Sequence, residues 1–245
     1  MPQNSANRKK AIVVGATSGI GRELAITLIN RNYLVGITGR RSENLNEIFR
    51  QYPQSTFTST FDITETQMID PSLDGLVEEL GGLDLLILSS GYGDINENLD
   101  VKIEIDTIET NVTGFTTVAI QAYKYFQNQG YGHFAAITSI AGLRGGRSAP
   151  SYNASKAYQI NYLEALRQKA NKEGKQIHIT DIRPGFVDTA MAKGDQKFWV
   201  ASTSKASKQI IHAIEQKKTV VYVSKRWALI AFLLKIIPRS IYKKL

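Results

Sequence analysis

The chain is expected to fold as an α/β protein: a doubly wound parallel sheet of about seven strands with helices on both faces. Three observations predict it. Short apolar, β-branched runs alternate with helical patterns along most of the 245 residues, the order that produces parallel strands joined by crossover helices. Several runs are apolar at consecutive positions, as in Leu85-Leu86-Ile87-Leu88, which suits strands covered on both faces. The first run leads through a glycine-rich turn into a helix, the opening of a nucleotide-binding βα unit.

Taken in order, Lys10 to Val14 is the first strand, ending at Gly15. Residues 20–30 carry apolar side chains at Ile20, Leu24, Ile26, Leu28 and Ile29, a helical pattern. Tyr33 to Thr38 is the second strand, 43–51 a helix and Ser55 to Thr60 the third strand. A helix over 72–80 precedes the fourth strand, Asp84 to Ser89, and one long helix spans 102–129. Gly132 to Ser139 is the fifth strand. The helix over 151–173 starts from Ser151 as its N-cap and continues through Ala157, Ile160, Leu163 and Leu166. Gln176 to Ile182 is the sixth strand, 203–217 a helix and Thr219 to Val223 the seventh strand. With no linker, repeat or low-complexity segment, residues 1–245 are expected to form a single Rossmann-like dinucleotide-binding and catalytic domain. Residues 225–245 are its basic, apolar C-terminal tail.

Composition removes several classes of chemistry. The apolar fraction of 42% is that of a globular protein. There is no cysteine, so disulfides, thiol catalysis and cysteine-held metal are excluded. His133, His178 and His212 are scattered without ligand spacing, and no metal is predicted. No serine sits in G-x-S-x-G, and Asp181 and Asp188 do not make a glycosidase pair. The polar stretch Met1 to Lys10 precedes an apolar run, Ala11 to Val14, too short for a signal-peptide core, so a cytoplasmic location is expected. The net charge of +8 is concentrated: residues 205–245 hold 10 of the 30 Lys and Arg but only one of the 22 acids, Glu215. The basic character belongs to the tail, and a nucleic-acid partner is not expected.

The turn Gly15-Ala16-Thr17-Ser18-Gly19-Ile20-Gly21 has the features of a phosphate cradle. Glycine there permits the turn, the approach of a pyrophosphate and close helix–sheet packing. A helix beginning near Ser18 would turn its free N–H groups and positive dipole end to the phosphates. The alternative is a purely structural turn. At the end of the second strand, an acid would bind the 2′-hydroxyl of NAD. Here the segment is Ile37-Thr38-Gly39-Arg40-Arg41, with no acid before Glu43. Arg40 and Arg41 suit the 2′-phosphate of NADP(H); the alternative is a solvated arginine pair.

Tyr152 and Lys156 are four apart and share one helix face. Reducing a carbonyl needs a hydride on carbon and a proton on oxygen. A free phenol, with a pKa near ~10, is a poor base at neutral pH, and an adjacent Lys156 ammonium would favour the phenolate. Ser139, at the end of the fifth strand, would hydrogen-bond the substrate oxygen where charge develops.

These residues together resemble the short-chain dehydrogenase/reductase family. The family pattern is matched at the Gly15–Gly21 loop, at Asp62, at Asn111 in Asn-Val-Thr-Gly, at Ser139, at Tyr152 with Lys156 and at Pro184-Gly185, in family order across about residues 10–190. The resemblance implies an NADP(H)-dependent oxidoreductase acting on a small carbonyl or alcohol, with Asn111, Ser139, Tyr152 and Lys156 catalytic. It implies cofactor contacts from Gly15, Thr17, Ser18, Gly19, Ile20 and Gly21, from Arg40 and Arg41, and from Asp62 and Ile63 at the adenine. Ser90 and Gly91 would lie beside the adenosine, Tyr152 and Lys156 at the nicotinamide ribose, and Pro184, Gly185, Val187 and Thr189 along the nicotinamide. Asn111 would hold a relay water beyond Lys156, and a homo-oligomer, dimer or tetramer, is implied. One departure stands out: Ser89-Ser90-Gly91-Tyr92-Gly93 replaces the family's Asn-Asn-Ala-Gly. It weakens a support in that turn and places Tyr92 near the substrate pocket.

In the tail, the apolar run Trp227 to Leu234 lies between Lys225-Arg226 and a basic end. A spanning helix needs about 20 residues, so the run does not cross a bilayer. It packs on its own domain or a partner subunit, or lies on an anionic membrane surface with Trp227 and the basic flanks helping. Two other functional readings stand beside the soluble reductase: a membrane-surface reductase of a lipid-type carbonyl, peripheral to the inner face of a membrane, and a non-catalytic nucleotide-binding scaffold.

Overall fold

The computed structural model describes residues 8–191 and 198–244. Most of the polar N-terminal stretch, and residues 192–197 of the segment following the sixth strand, lie outside them. The strands are β1 (Lys10–Val14), β2 (Leu34–Gly39), β3 (Thr56–Thr60), β4 (Leu85–Leu88), β5 (Tyr131–Ile137), β6 (Gln176–Pro184) and β7 (Val220–Val223). They form one seven-stranded sheet in the order β3-β2-β1-β4-β5-β6-β7, parallel throughout. The chain runs outward from β1 to β3, then returns to place β4 on the other side of β1. This makes the β1–β4 boundary a topological switch point, where a crevice opens beyond the strand ends.

The helices are α1 (Gly19–Asn30), α2 (Ser42–Gln51), α3 (Thr66–Leu80), α4 (Val101–Ile108), α5 (Phe115–Gln129), α6 (Pro150–Glu173), α7 (Thr203–Glu215), α8 (Trp227–Ile236) and α9 (Arg239–Tyr242). The consecutive apolar positions of the strands divide between two cores. Ile12, Val14, Leu86, Leu88 and Phe134 pack with α3, α5 and α6, through residues such as Leu76, Phe126 and Leu163. Ala11, Val13, Leu85, Ile87 and Ala135 pack on the other face with α1, α2 and α7, through Leu24, Ile48 and Ile210. Two-sided covering explains why these strands lack alternation.

Most elements end within two residues of their sequence-based bounds. Three differences have physical causes. The third helix begins at Thr66 rather than at 72, because Pro71 sits inside it and reads in sequence as a stop. Only the bond back to Gln67 is lost there. The helix expected over 102–129 is broken by a wide π turn at Glu109–Gly114. Gly114 is needed in that turn, since a Cβ there would stand 2.5 Å from Ile63 O. The last long helix starts at Pro150, not from a Ser151 cap; proline suits the first helical position, and the Ser151 amide donates to Glu104 Oε2 at 3.0 Å.

Under the sheet, His133 is 8% exposed and its Nε2 meets Thr180 Oγ1 at 2.8 Å. Burial, with smaller contributions from His178 and Lys217, pushes its pKa down to about 3. The folded state therefore disfavours the proton that the unfolded chain takes up below pH ~6.5, so stability falls as pH drops from there toward 3. Urea unfolding at pH 7 and pH 5 should show an acid loss larger by ~2 kcal/mol in the wild type than in His133→Asn. Equal losses would remove His133 as the cause.

Candidate active site

β1 delivers the chain to Gly15, whose φ of +91° lies in the left-handed region that glycine enters freely. The loop is packed tightly from behind. A Cβ on Gly15 would stand 2.6 Å from Ser90 N, and one on Gly21 would stand 2.1 Å from Gly15 O. Gly21 therefore lies beneath the cradle, while Gly15, Thr17, Ser18, Gly19 and Ile20 line a cavity of about 730 Å³. α1 starts at Gly19, so its first amides and positive dipole end face that cavity.

Arg40 and Arg41 follow β2 and both line the cavity, but they do different things. The Arg41 guanidinium braces the loop, with Nη2 donating to Thr17 Oγ1 and Ser18 Oγ at 2.7 Å each. Asn44, unmarked by any sequence pattern, donates to Thr17 O at 2.8 Å. Arg40 reaches across to Asp62, Nη1 to Oδ2 at 3.3 Å, with its side chain 70% exposed. Partial burial pushes the Asp62 carboxyl up, but hydrogen bonds from Thr64 and the Arg40 charge outweigh it, and its pKa lies below the usual value. Asp62 and Ile63 share this wall.

On the other side of the switch point, Ser89 N and Ser90 N both donate to Val14 O, at 2.8 and 3.1 Å. The turn that departs from the family pattern is supported from elsewhere. Asn111, fully buried in the π turn, accepts from Tyr92 N at 2.9 Å and donates to Tyr92 O at 2.6 Å. Ser90, Gly91 and Tyr92 line the cavity.

Ser139 follows β5, and Tyr152 and Lys156 rise on the first turns of α6; all three line the cavity. The strand end is fixed next door, where Thr138 Oγ1 donates to Asp181 Oδ1 at 2.6 Å and the buried Arg183 pairs with Asp181 Oδ2 at 2.6 Å. The Ala141 amide donates to Ser139 Oγ at 3.1 Å, leaving the Ser139 proton free to donate into the site. Burial raises the Tyr152 pKa, and the neighbouring Ser139 hydroxyl opposes that rise.

Lys156 is 3% exposed. Burial pushes its pKa down to about 8, against the attraction of Asp181. The expected depression of the phenol by Lys156 is not what the geometry provides. Nζ stands 5.7 Å from the Tyr152 ring centroid and donates instead to Ile137 O at 3.1 Å and Gln159 Oε1 at 2.9 Å. Gln159 in turn donates to Asn111 O at 2.8 Å. The link from Lys156 to Asn111 thus runs through a glutamine, while the Asn111 side chain is taken up by Tyr92 and by Ser155, 3.0 Å away. Three residues beyond Lys156 on the same helix face, Gln159 was readable as a neighbour but not as a bridge.

Pro184, Gly185, Val187 and Thr189 form the far wall. Beside them the tail enters the site: Trp227, Ile230 and Leu234 of α8 line the same cavity. The Trp227 indole packs on Gly185 so closely that a Cβ there would stand 2.1 Å from it. Its ring centroid is 4.9 Å from that of Phe198 and 5.5 Å from that of Phe186. Trp227 is only 3% exposed, so it anchors the helix inward and does not serve as an interfacial anchor. The cavity thus runs from Arg40 and Asp62, past a cradle that any side chain would fill, to Tyr152 and Gly185. An extended dinucleotide fits this arrangement, with room for a substrate under α8.

Comparison with known proteins agrees with this geometry. The family model for short chain dehydrogenases matches residues 9–198. An uncharacterized oxidoreductase of Staphylococcus epidermidis is 30% identical over 188 residues, covering 76% of this chain and 81% of its own. One of Staphylococcus saprophyticus is 31% identical over 223 residues, covering 86% and 93%. Among solved structures, an actinorhodin polyketide ketoreductase with NADPH superposes with a TM-score of 0.78 at 24% identity, covering 89% of this chain and 96% of that one. A short-chain dehydrogenase from Streptomyces avermitilis gives 0.81 at 21% identity, covering 94% and 92%. These last two bear on the fold alone. With the Gly15–Gly21 cradle and the Ser139, Tyr152 and Lys156 side chains on one cavity, and the family model matched over most of its length, the chain belongs to the short-chain dehydrogenase family of oxidoreductases.

Proposed function

We propose that the protein is an NADP(H)-dependent reductase of a ketone or aldehyde, reversible in principle, with Tyr152 as general acid and base. The observation that carries this reading is one cavity lined together by the glycine cradle, Arg40, Ser139, Tyr152 and Lys156. The cofactor, when bound, supplies or accepts the hydride. Amides at the start of α1 would hold the pyrophosphate, and Arg40, paired through Nη1 with Asp62 but with its side chain 70% exposed, would hold the 2′-phosphate. Asp62 and Ile63 would flank the adenine.

Ser139 Oγ, oriented by Ala141 N, donates to the substrate oxygen as negative charge grows on it. Tyr152 Oη delivers the proton to that oxygen in reduction and removes it in oxidation. With its pKa raised by burial, Tyr152 is held as the protonated acid that reduction requires. Lys156, with a pKa of about 8, is mostly cationic at neutral pH. Its contacts with Ile137 O and Gln159 Oε1 fix that charge beneath the site. A nucleotide-binding scaffold would need the cradle but gives no account of Ser139 meeting Tyr152.

Three outcomes test this. NADPH oxidation followed by absorbance over a panel of carbonyl compounds should fall at least about 100-fold in kcat for Tyr152→Phe; equal turnover would remove Tyr152 from the chemistry. Arg40→Ala should raise KM for NADPH about tenfold while leaving that for NADH nearly unchanged, whereas Arg41→Ala should weaken both, because it loosens the shared loop. Gln159→Leu should lower kcat and shift the pH–rate profile without a matching rise in the KM for NADPH. An unchanged profile would make Gln159 a packing residue only.

A further inference from the structure

α8 presents two apolar faces. Trp227, Ile230, Ala231 and Leu234, spaced i, i+3, i+4 and i+7, turn inward; three of them line the cavity and Ala231 is buried. Leu229, Phe232, Leu233 and Ile236 repeat that spacing on the opposite face. They are 59%, 59%, 41% and 57% exposed. Ile241 of α9 adds a further exposed apolar side chain, at 55%. A helix apolar all round belongs in a core or in contact with lipid, and none of the described residues covers the outer stripe.

The helix is held so that the stripe stays outward. Arg144 Nη1 donates to Leu234 O at 3.0 Å and Ile237 O at 2.9 Å, satisfying carbonyls at the C-terminal end of α8. Its guanidinium lies 4.2 Å from the centre of the Tyr242 ring, and Tyr242 OH donates to Gly145 O at 2.6 Å. With Trp227 seated on Gly185, both ends of α8 are pinned to the domain. Exposed cations surround the stripe: Lys225, Arg226, Lys235, Arg239, Lys243 and Lys244. No acid follows Glu215.

We propose that the outer face of α8, with α9, docks on an anionic lipid bilayer, and that the cavity behind it takes a carbonyl on a long acyl chain from that bilayer. The second half rests on the reductase reading above; the docking does not. Apolar side chains rimmed by cations match the boundary between headgroups and acyl chains of an anionic leaflet. A second copy of the chain is the weaker occupant, because it would bring the same cations against their like. α8 spans 10 residues, and no helix among the described residues is long and apolar enough to cross a membrane. The contact is therefore one of lying on the surface. Because the inner stripe of the same helix lines the cavity, docking sets the substrate chamber one helix thickness from the lipid.

The test uses the full chain, with vesicles of phosphatidylcholine alone or with about one-third phosphatidylglycerol, at ~0.1 M salt. Cosedimentation should be about tenfold greater with the anionic vesicles. Phe232→Ser with Ile236→Ser should abolish it, and Lys235→Gln with Arg239→Gln should reduce it several-fold. Both pairs should keep the wild-type kcat for a water-soluble ketone without vesicles. That shows the fold intact, since none of these side chains touches the cavity. A long-chain ketone carried in the anionic vesicles should be reduced at least about fivefold faster by the wild type than by the serine pair.

Equal pelleting of wild type and serine pair, or no preference for anionic vesicles, would overturn the docking. So would a fall in sedimentation-velocity mass of the serine pair with no change in pelleting, which would assign the face to a second copy. Vesicle binding with equal rates on the long-chain ketone would overturn the substrate half alone. Absence of NADPH oxidation with every carbonyl would instead count against the reductase reading, because pelleting is read without turnover.

Discussion

The parallel pairing of β1 with β4 is the constraint on which the rest of the molecule depends. The chain leaves these two strands in divergent directions, so their C-terminal ends cannot be closed by a shared turn. Val14 O takes up both Ser89 N and Ser90 N at that point, and Gly15 is pressed against Ser90 with no space for a side chain. From this seam the glycine loop is aimed one way and the Tyr92 turn the other. The cavity is the space between them, which is why the glycine loop and the Ser139, Tyr152 and Lys156 side chains, far apart in sequence, line one space.

The catalytic side is built by stiffening rather than by exposure. Ser139 stands on a strand end fixed by the Thr138–Asp181–Arg183 contacts, and Lys156 is threaded through Gln159 to the π turn. A π turn shifts backbone hydrogen bonds and commonly sits where a site needs a free backbone group. Here it lets one residue, Asn111, serve two elements. Its side chain clips the Tyr92 turn and its carbonyl receives Gln159. The asparagine support absent from the Ser89–Gly93 turn is thereby supplied from a neighbouring element.

Much of this was legible from residues. Leu85-Leu86-Ile87-Leu88 announced a two-sided strand because burial on both faces removes alternation, and the spacing of Tyr152 and Lys156 announced a shared helix face. What escaped had no periodic signature. Pro71 hid the start of α3 because a proline in the second turn of a helix reads in sequence like one that precedes it. The π turn at 109–114 was invisible, since a change of hydrogen-bond partner leaves the apolar pattern almost intact. Arg40 and Arg41 looked equivalent as a pair of charges; only their partners, Asp62 for one and Thr17 with Ser18 for the other, separate them. In α8, apolar residues on every side left no amphipathic direction to read, so the sequence kept packing on protein and contact with a membrane as alternatives; the structure buries one face, through Trp227 and Ala231, and leaves the other exposed.

The seat of Trp227 on Gly185 has a consequence for how such a protein diversifies. The matched family region ends at residue 198, before α8, yet α8 forms a wall of the cavity. The glycine loop and the Ser139, Tyr152 and Lys156 side chains thus lie within the matched region, and one wall of their cavity, Trp227, Ile230 and Leu234, lies outside it. Changes confined to that helix, including its exchange between relatives, can reshape the cavity without disturbing the residues at its other end.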